Sequence, residues 1–167
     1  YLQHTSTVDW QWDNLNITDN TGDIIGLADN GQWLWSNSVI ASNKVKTGVV
    51  LFKNTGLLAY QFTNLTFTGN GPFDPGTTFT GGLVLTISNP TTSAQLDQVH
   101  FMNNQHFTAL QIQMTETGAT SSVTFKDSVW VGQTGYACNF LLQDTAADAK
   151  VTLTMTNMNI SDNGGGI

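Results

Sequence analysis

The chain has 167 residues, enough for one domain with a hydrophobic core, and carries 12 acidic residues against 5 lysines and no arginine, a net charge of -7. This balance argues against binding to nucleic acid or to anionic membrane surfaces, both of which attract clustered basic side chains. No apolar run approaches about 18 residues, so no membrane insertion is expected, and Cys138 has no partner for an intrachain disulfide.

One short pattern recurs from the first tryptophans onward. WDNLNITDN at residues 12–20 returns as FTNLTFTGN at 62–70 and as MTNMNISDN at 155–163, with looser copies between them. Successive copies are 23 to 34 residues apart, a period typical of repeat architectures. We number them repeats 1 to 6 by their first large residue, the anchor: Trp12, Trp35, Phe62, Leu96, Phe125 and Met155.

Each repeat opens with two predicted strands and a bend between them. Apolar residues stand two positions before the anchor, at the anchor, and three and five positions after it. Because a strand alternates its faces with period two, the slip to three divides one inward-facing pair from the next. The columns that flank the anchor are Trp10, Trp33, Tyr60, Ala94, Val123 and Leu153; then Leu15, Ser38, Leu65, Val99, Ser128 and Met158; then Ile17, Ile40, Phe67, Phe101, Trp130 and Ile160.

Two polar columns accompany these strands. The first lies at the bend, two positions after the anchor, where Asn tolerates left-handed backbone well. We predict that it forms an internal ladder of hydrogen-bonded side chains, in which Asn64 is buried. Its members are Asn14, Asn37, Asn64, Gln98, Asp127 and Asn157. The second column, eight positions after the anchor, closes the second strand with Asn20, Asn43, Asn70, Asn104, Gln133 and Asn163.

A third strand is predicted after the second polar column, at 24–28, 49–53, 83–87, 110–114 and 138–142. Three short strands per coil predict an all-β fold, a right-handed parallel β-helix of about six coils that forms one domain over residues 1–167. A β-sandwich would explain the short strands but not the recurrence of the same columns in the same order. The expected inward pairs are Ile25 and Leu27, Val49 and Leu51, Leu83 and Leu85, Leu110 and Ile112, and Cys138 and Phe140.

These columns resemble a known superfamily. The pattern x-F-x-N-L-x-F-x-x-N, followed by G-L-x-L, is similar to that of the pectate-lyase-like right-handed parallel β-helix proteins over nearly the whole chain. FTGN (67–70), FMNN (101–104), GGLV (81–84) and GGGI (164–167) also resemble the FxxN and GGAI repeats of polymorphic outer-membrane and autotransporter-type surface proteins. The resemblance implies the fold, which hosts lyases, hydrolases, phage tailspikes and adhesins.

Catalysis in such a fold would require charged residues clustered on adjacent coils. The lyases of the superfamily hold calcium with several carboxylates and use an Arg or Lys as base, and the hydrolases use Asp residues on successive coils. Coils rise about 4.8 Å each, so acids that share a column three or five coils apart are too distant to act together. These pairs are Asp13 with Asp97 and Asp19 with Asp162, while Asp9, Asp13 and Asp23 are interpreted as solvated loop acids.

The other reactive side chains also favour structural interpretations. His100 is expected to face outward and His106 to lie in the next loop, without the further ligands that a metal site needs. Cys138 falls in an inward column, where a small buried residue is the better interpretation than a nucleophile. The five tryptophans also fall in inward columns and are predicted to be core residues rather than sugar platforms. We therefore predict no catalytic residue, no metal site and no cofactor.

Binding candidates lie in the longest loop, GPFDPGTTFTG at 71–81. Insertions in solenoids cluster where binding occurs, which makes Phe73, Asp74 and Phe79 candidate contacts. A loop that folds its two phenylalanines back against the coil is an equally good interpretation.

Three glycosylation motifs occur, Asn16-Ile-Thr, Asn64-Leu-Thr and Asn159-Ile-Ser. Asn16 and Asn159 should face outward, whereas Asn64 is expected to be buried. Because Asn and Thr are abundant in the chain, chance occurrence explains all three motifs.

Two functional classes remain open. The first is a non-catalytic extracellular or cell-surface module, such as a stalk, an adhesin or a surface-layer segment, with glycans as ligands of its loops. The second is part of a polysaccharide lyase or hydrolase, or of a tailspike-like depolymerase, whose catalytic coils lie elsewhere. The missing arginine and the scattered acids favour the first class. Since open coil ends leave strands unpaired, we expect a segment of a longer solenoid, or one stacked end to end on neighbouring copies.

Overall fold

A computed structural model describes residues 9–22, 24–28, 31–45, 50–54, 58–74, 83–87, 91–105, 110–114, 120–134, 139–142 and 150–165. All regular secondary structure in these ranges is β-strand, so the fold is all-β as predicted. Within the same ranges, no helix is long and apolar enough to cross a lipid bilayer.

The strands are short and are separated mostly by Asn, Asp, Ser and Gly, the residues that favour turns. In chain order they are β1 (Trp10–Asp13), β2 (Asn16–Thr18), β3 (Ile24–Ala28), β4 (Gly31–Ala41), β5 (Lys44–Val45), β6 (Val50–Asn54), β7 (Leu58–Thr68), β8 (Gly71–Pro72), β9 (Leu83–Ile87), β10 (Thr91–Met102), β11 (Leu110–Met114), β12 (Thr120–Lys126), β13 (Val129–Val131), β14 (Asn139–Leu142), β15 (Lys150–Thr156) and β16 (Asn159–Ser161).

The largest sheet joins equivalent strands of successive repeats. Its main path is β1-β4-β7-β10-β12-β15, and all of these pairs are parallel. The short strands β2, β13 and β16 extend it, since β2 pairs with β4 and β13 pairs with both β10 and β16. The register confirms the anchor column, which runs through Trp12, Trp35, Phe62, Leu96, Phe125 and Met155.

Two further parallel sheets are described, one with strands from repeats 1 to 5 and one with strands from repeats 2 and 3. One has five strands in the order β14-β11-β9-β6-β3, and the other pairs β5 with β8. A parallel bridge between Thr21 and Lys44 carries the two-stranded sheet into repeat 1. Each passage through the largest sheet is therefore followed by one through the five-stranded sheet wherever both are described.

The register of the five-stranded sheet corrects one prediction. Leu83 pairs with Val50, where the pattern predicted Val49, and the later pairs of these two strands shift by the same residue. In repeat 1, Ile24 pairs with Val50 and Ile25 pairs with Leu51. The residue in the column of Leu83 is therefore Ile24, where the pattern predicted Ile25. Residues 49–52 are all apolar, so a period of two cannot choose between registers, and a one-residue slip exchanges the two faces. Further along, the predicted pairs Leu83–Leu110 and Ile112–Phe140 are confirmed.

The core described here is lined by the inward columns of the largest sheet. The side chains of Trp33, Trp35 and Trp130 are at most 1% exposed, which confirms these tryptophans as core residues. The rings of Phe67 and Phe101 stack at 4.8 Å between centroids, and Trp130 meets Phe125 edge-on at 5.0 Å. Partly buried residues of the first and last repeats pack against this core: Trp10, Trp12, Ile17, Met155, Met158 and Ile160.

The first bend has the predicted backbone but not the predicted burial. All six residues of the first polar column have positive φ, between 50° and 55°. Asn64 was expected to be buried and is exposed, as are Asn14, Asn37, Gln98 and Asn157, whereas Asp127 is half-buried. The inward residues on either side of the bend are three apart, so the two residues between them face outward. We call the first polar column, whose six residues lie at this bend, the outer column.

The buried ladder is formed instead by the second polar column, which we call the inner column. Asn43, Asn70, Asn104 and Gln133 are at most 1% exposed. The side-chain amides of Asn20, Asn43, Asn70 and Asn104 each donate to the side-chain oxygen of the next repeat, at 2.9 to 3.1 Å. The amides of Asn43, Asn70 and Asn104 also donate to a carbonyl of the preceding repeat, for example from Asn70 to Ile40 at 2.9 Å.

Candidate binding surface

The predicted loop contacts begin beside the two-stranded sheet. The N–H of Phe73, directly after β8, donates to the carbonyl of Val45 at 2.9 Å, which fixes the start of the loop against β5. The Phe73 side chain is 51% exposed and Asp74 is exposed too, whereas Phe79 lies outside the described residues. An exposed ring beside a carboxylate offers both an apolar face and a hydrogen-bond acceptor, the contacts that a sugar uses.

The acids of repeat 1 bond to repeat 2. The hydroxyl of Ser36 and the amide of Asn37 donate to Oδ1 of Asp13 at 2.6 and 2.9 Å, and the amide of Asn14 donates to Oδ2 at 2.7 Å. The hydrogen bond from Ser36, followed by that from Asn37, lowers the pKa of Asp13 below its usual value. Asp9 accepts the N–H of Gln32 at 2.9 Å. These carboxylates, interpreted from the sequence as solvated loop acids, hold adjacent repeats together.

A second charged group joins repeats 4, 5 and 6. The ammonium of Lys126 lies 3.3 Å from Asp127 and 3.9 Å from Asp97, and the amide of Asn157 donates to Asp127 at 2.6 Å. The bond from Asn157, followed by that from Lys126, lowers the pKa of Asp127, while the bond to Asp127 raises the pKa of Lys126. All of these groups are exposed or half-buried, so they contribute little to the free energy of unfolding in physiological salt.

His100 and two serines also make contacts between repeats. The N–H of Val129 donates to Nδ1 of His100 at 3.1 Å, so that nitrogen carries no proton in this arrangement. The hydroxyls of Ser38 and Ser128, buried in an otherwise apolar column, accept the backbone N–H groups of Leu15 and Val99 at 3.0 and 3.1 Å. A serine there supplies an acceptor that an apolar residue could not, a reason for its presence that the periodicity alone does not reveal.

Several sequence candidates lie outside the described residues: Asp23, His106 and Cys138. In the part of the chain that is described, no group of three or more His, Cys, Asp and Glu side chains is placed to hold a metal ion. Asp13 and Asp97 occupy one column, with Ser36 and Thr63 between them, as the pattern predicted.

The inner column is the feature whose role the sequence reasoning missed. The spacing predicts both polar columns, but the predicted burial falls on the outer column and is wrong. A signal was present: the outer column contains Asp127, and an ionised carboxylate is costly to bury, whereas the inner column contains only neutral amides.

Comparison with known proteins gives no relative. No family model matches the chain, and no curated protein or solved structure matches it. Function therefore has to be inferred from the residues themselves.

Proposed function

We propose that the chain is a right-handed parallel β-helix that serves as a non-catalytic module of an extracellular or cell-surface protein, as a stalk, an adhesin or a surface-layer segment. The observation that carries this proposal is the continuous register of six repeats in the largest sheet, together with the amide ladder of the inner column. Parallel pairing in every repeat, with the side-chain amides of repeats 1 to 4 each hydrogen-bonded to the next rung, favours an elongated and rigid body.

The order of the sheets supports the helical path. The chain passes from the largest sheet to the five-stranded sheet and returns one position further along the largest sheet. Parallel strands need such crossover connections, and these are right-handed in nearly all proteins. A stack of coils with three parallel faces follows from repeating this passage, and it is the architecture that the superfamily resemblance implies.

The polar contacts support a structural role. Asp13, Asp127 and Lys126 bond to neighbouring repeats, and His100 accepts an N–H from the next repeat. Side chains engaged in this way bridge neighbouring repeats instead of forming a cleft around a substrate. A surface rich in Thr, Asn and Gly, with only 10% charged residues, is typical of extracellular proteins.

Glycans are the ligands that best fit the loop after β8. The half-exposed ring of Phe73 can stack on a sugar face, and Asp74 can accept hydrogen bonds from its hydroxyls. The experiment is a glycan-array measurement on the parent chain, on Phe73→Ala and on a control, Val39→Ala, which removes another exposed apolar side chain. We expect sugar binding that Phe73→Ala abolishes and Val39→Ala preserves. Binding that both variants retain would reject the loop as the contact.

The non-catalytic assignment is tested separately. The chain is incubated with pectate, alginate and glucan, with and without calcium, and reducing ends and unsaturated products are measured. We expect no product above the buffer control. Product release that Asp13→Asn or Asp97→Asn abolishes would overturn the proposal and favour a depolymerase.

A further inference from the structure

The three Asn-X-Thr/Ser motifs all present their asparagine at the surface. Asn16, Asn64 and Asn159 are exposed, which removes the expected burial of Asn64. The motif is the acceptor sequence for N-linked glycans in secreted proteins. Exposure by itself does not distinguish the three asparagines as acceptors, because all three are exposed. Their hydrogen bonds do distinguish them.

Asn16 and Asn159 occupy equivalent positions in repeats 1 and 6. The register places Asn16 of β2 beside Val39 and Asn159 of β16 beside Val129, in the same outward column. Ile17 and Ile160, the residues that follow them, pack against the core. Because strand residues alternate faces, each asparagine shares its outward face with the hydroxyl two positions later, and these hydroxyls belong to Thr18 and Ser161.

The side-chain amides of these two residues are not used by the fold. Among the described residues, neither the Asn16 nor the Asn159 amide forms a hydrogen bond, whereas Nδ2 of Asn64 donates to Oδ1 of Asn37 at 2.9 Å. A sugar on Asn16 or Asn159 would therefore project from the outer face without displacing a contact. At Asn64, by contrast, a sugar would crowd the outer column.

We propose that Asn16 and Asn159 are acceptors for N-linked glycans. In the transfer, Nδ2 loses a proton to a base of the transferase and bonds to the anomeric carbon of an oligosaccharide. The bond from that carbon to the pyrophosphate of the polyprenyl-linked donor breaks, and the pyrophosphate leaves with the electron pair. The inference rests on the proposed extracellular location, because the transfer takes place in the secretory pathway.

The test routes the full chain through a eukaryotic secretory host behind a cleavable signal peptide. Occupancy at each asparagine is measured by glycopeptide mass spectrometry before and after enzymatic release of the glycans. We expect two glycans per chain, on Asn16 and Asn159. Thr18→Ala should remove the first and Ser161→Ala the second, although both asparagines remain. Thr68→Ala is the matched control, because Thr68 lies in the same column as Thr18 but follows no acceptor asparagine.

A secreted chain with a β-sheet circular dichroism spectrum and no sugar on Asn16 or Asn159 would overturn the proposal. A glycan confined to Asn64 would overturn it too, because the hydrogen bonds of the folded chain would then not decide which motif is modified. The added signal peptide makes this result independent of the native location. Failure of the surface-module proposal would instead appear in the glycan-array and depolymerase measurements.

Discussion

The same residue type has two different roles in this chain, and its position in the repeat decides which. Asn70 in the inner column is fully buried, accepts two hydrogen bonds from Asn43 and donates two, to Ile40 and Asn104. Asn64 in the outer column is exposed and holds left-handed backbone with φ of 54°. The first residue is needed for its side chain, and the second mainly for its backbone.

This difference predicts unequal effects of substitution. Asn70→Leu removes the side-chain partner of the backbone and side-chain N–H groups of Asn43 and of the carbonyl of Ile40, each at about 1–3 kcal/mol, so we expect the free energy of unfolding to fall by about 3 kcal/mol or more. Asn64→Gly preserves the backbone conformation and should stay within about 0.5 kcal/mol of the parent. Urea unfolding followed by tryptophan fluorescence measures both. Equal stability of the two variants would reject the inner column as the structural ladder.

The carboxylates of the outer contacts predict how stability depends on pH. The pKa of Asp13 is lowered by Ser36 and Asn37, and that of Asp127 by Asn157 and Lys126. A folded-state pKa below the unfolded value stabilises the fold above the unfolded pKa, near 3.8, and the stabilisation is lost as pH falls through the folded pKa. The double variant Asp13→Asn and Asp127→Asn should therefore show a shallower loss of stability below about pH 4.

The measurement is the urea midpoint at a series of pH values between about 2 and 7, for the parent and the double variant. Asp162→Asn is the control, because the exposed Asp162 side chain forms no hydrogen bond or ion pair within the part of the chain that is described. The prediction is contradicted if the urea midpoint of the parent falls no more steeply with decreasing pH than that of the double variant. The two carboxylates would then not contribute to the loss of stability in acid.

At the scale of the strand and its bends, the sequence predicts much of the fold because the constraints are periodic. The spacing alone aligns the anchor column, which contains Trp12, Leu96 and Phe125, and the register confirms it. Register could not be read in β6, where consecutive apolar residues leave both faces equally hydrophobic. Burial of the polar columns could not be read from spacing either, since it depends on which side of the bend faces the stack.

A second bend, with positive φ, lies seven positions after each anchor and directly before the inner column, and it adds a prediction at the scale of the element. Gly69 and Gly132 both have positive φ there, at 62° and 68°. A Cβ on Gly132 would collide with the side-chain oxygen of Asn103, whereas one on Gly69 would have ordinary contact with Ser42 at 3.9 Å. Both alanine variants carry the cost of left-handed backbone, about 1–2 kcal/mol. Gly132→Ala must in addition displace the exposed Asn103 side chain, so it should be slightly the less stable of the two. Thermal unfolding of the pair, side by side, gives the comparison, and the reverse order would contradict the described bend.

For the whole molecule, the proposed stack of repeats predicts a gradient of local stability. Repeats that contact only their neighbours open independently, and an outermost repeat opens most easily because it has fewer partners. Phe62 and Phe67 in repeat 3 are fully buried, while Trp12 of repeat 1 is only partly buried and Leu153 of repeat 6 is 40% exposed. Amide hydrogens in β7 and β10 should therefore exchange more slowly than those in β1 and β15.

Hydrogen exchange followed by mass spectrometry measures this gradient in the 167-residue chain, with the same peptides in the urea-unfolded chain as the control for intrinsic rates. Protection of the backbone amides should rise from repeat 1 to repeat 3 and fall again towards repeat 6. In the middle of the stack, the inner-column side chains are hydrogen-bonded to the repeats on both sides, whereas an outermost repeat has a neighbour on one side. Uniform protection in all repeats would show instead that the chain opens as one cooperative unit, and the independence of the repeats would be rejected.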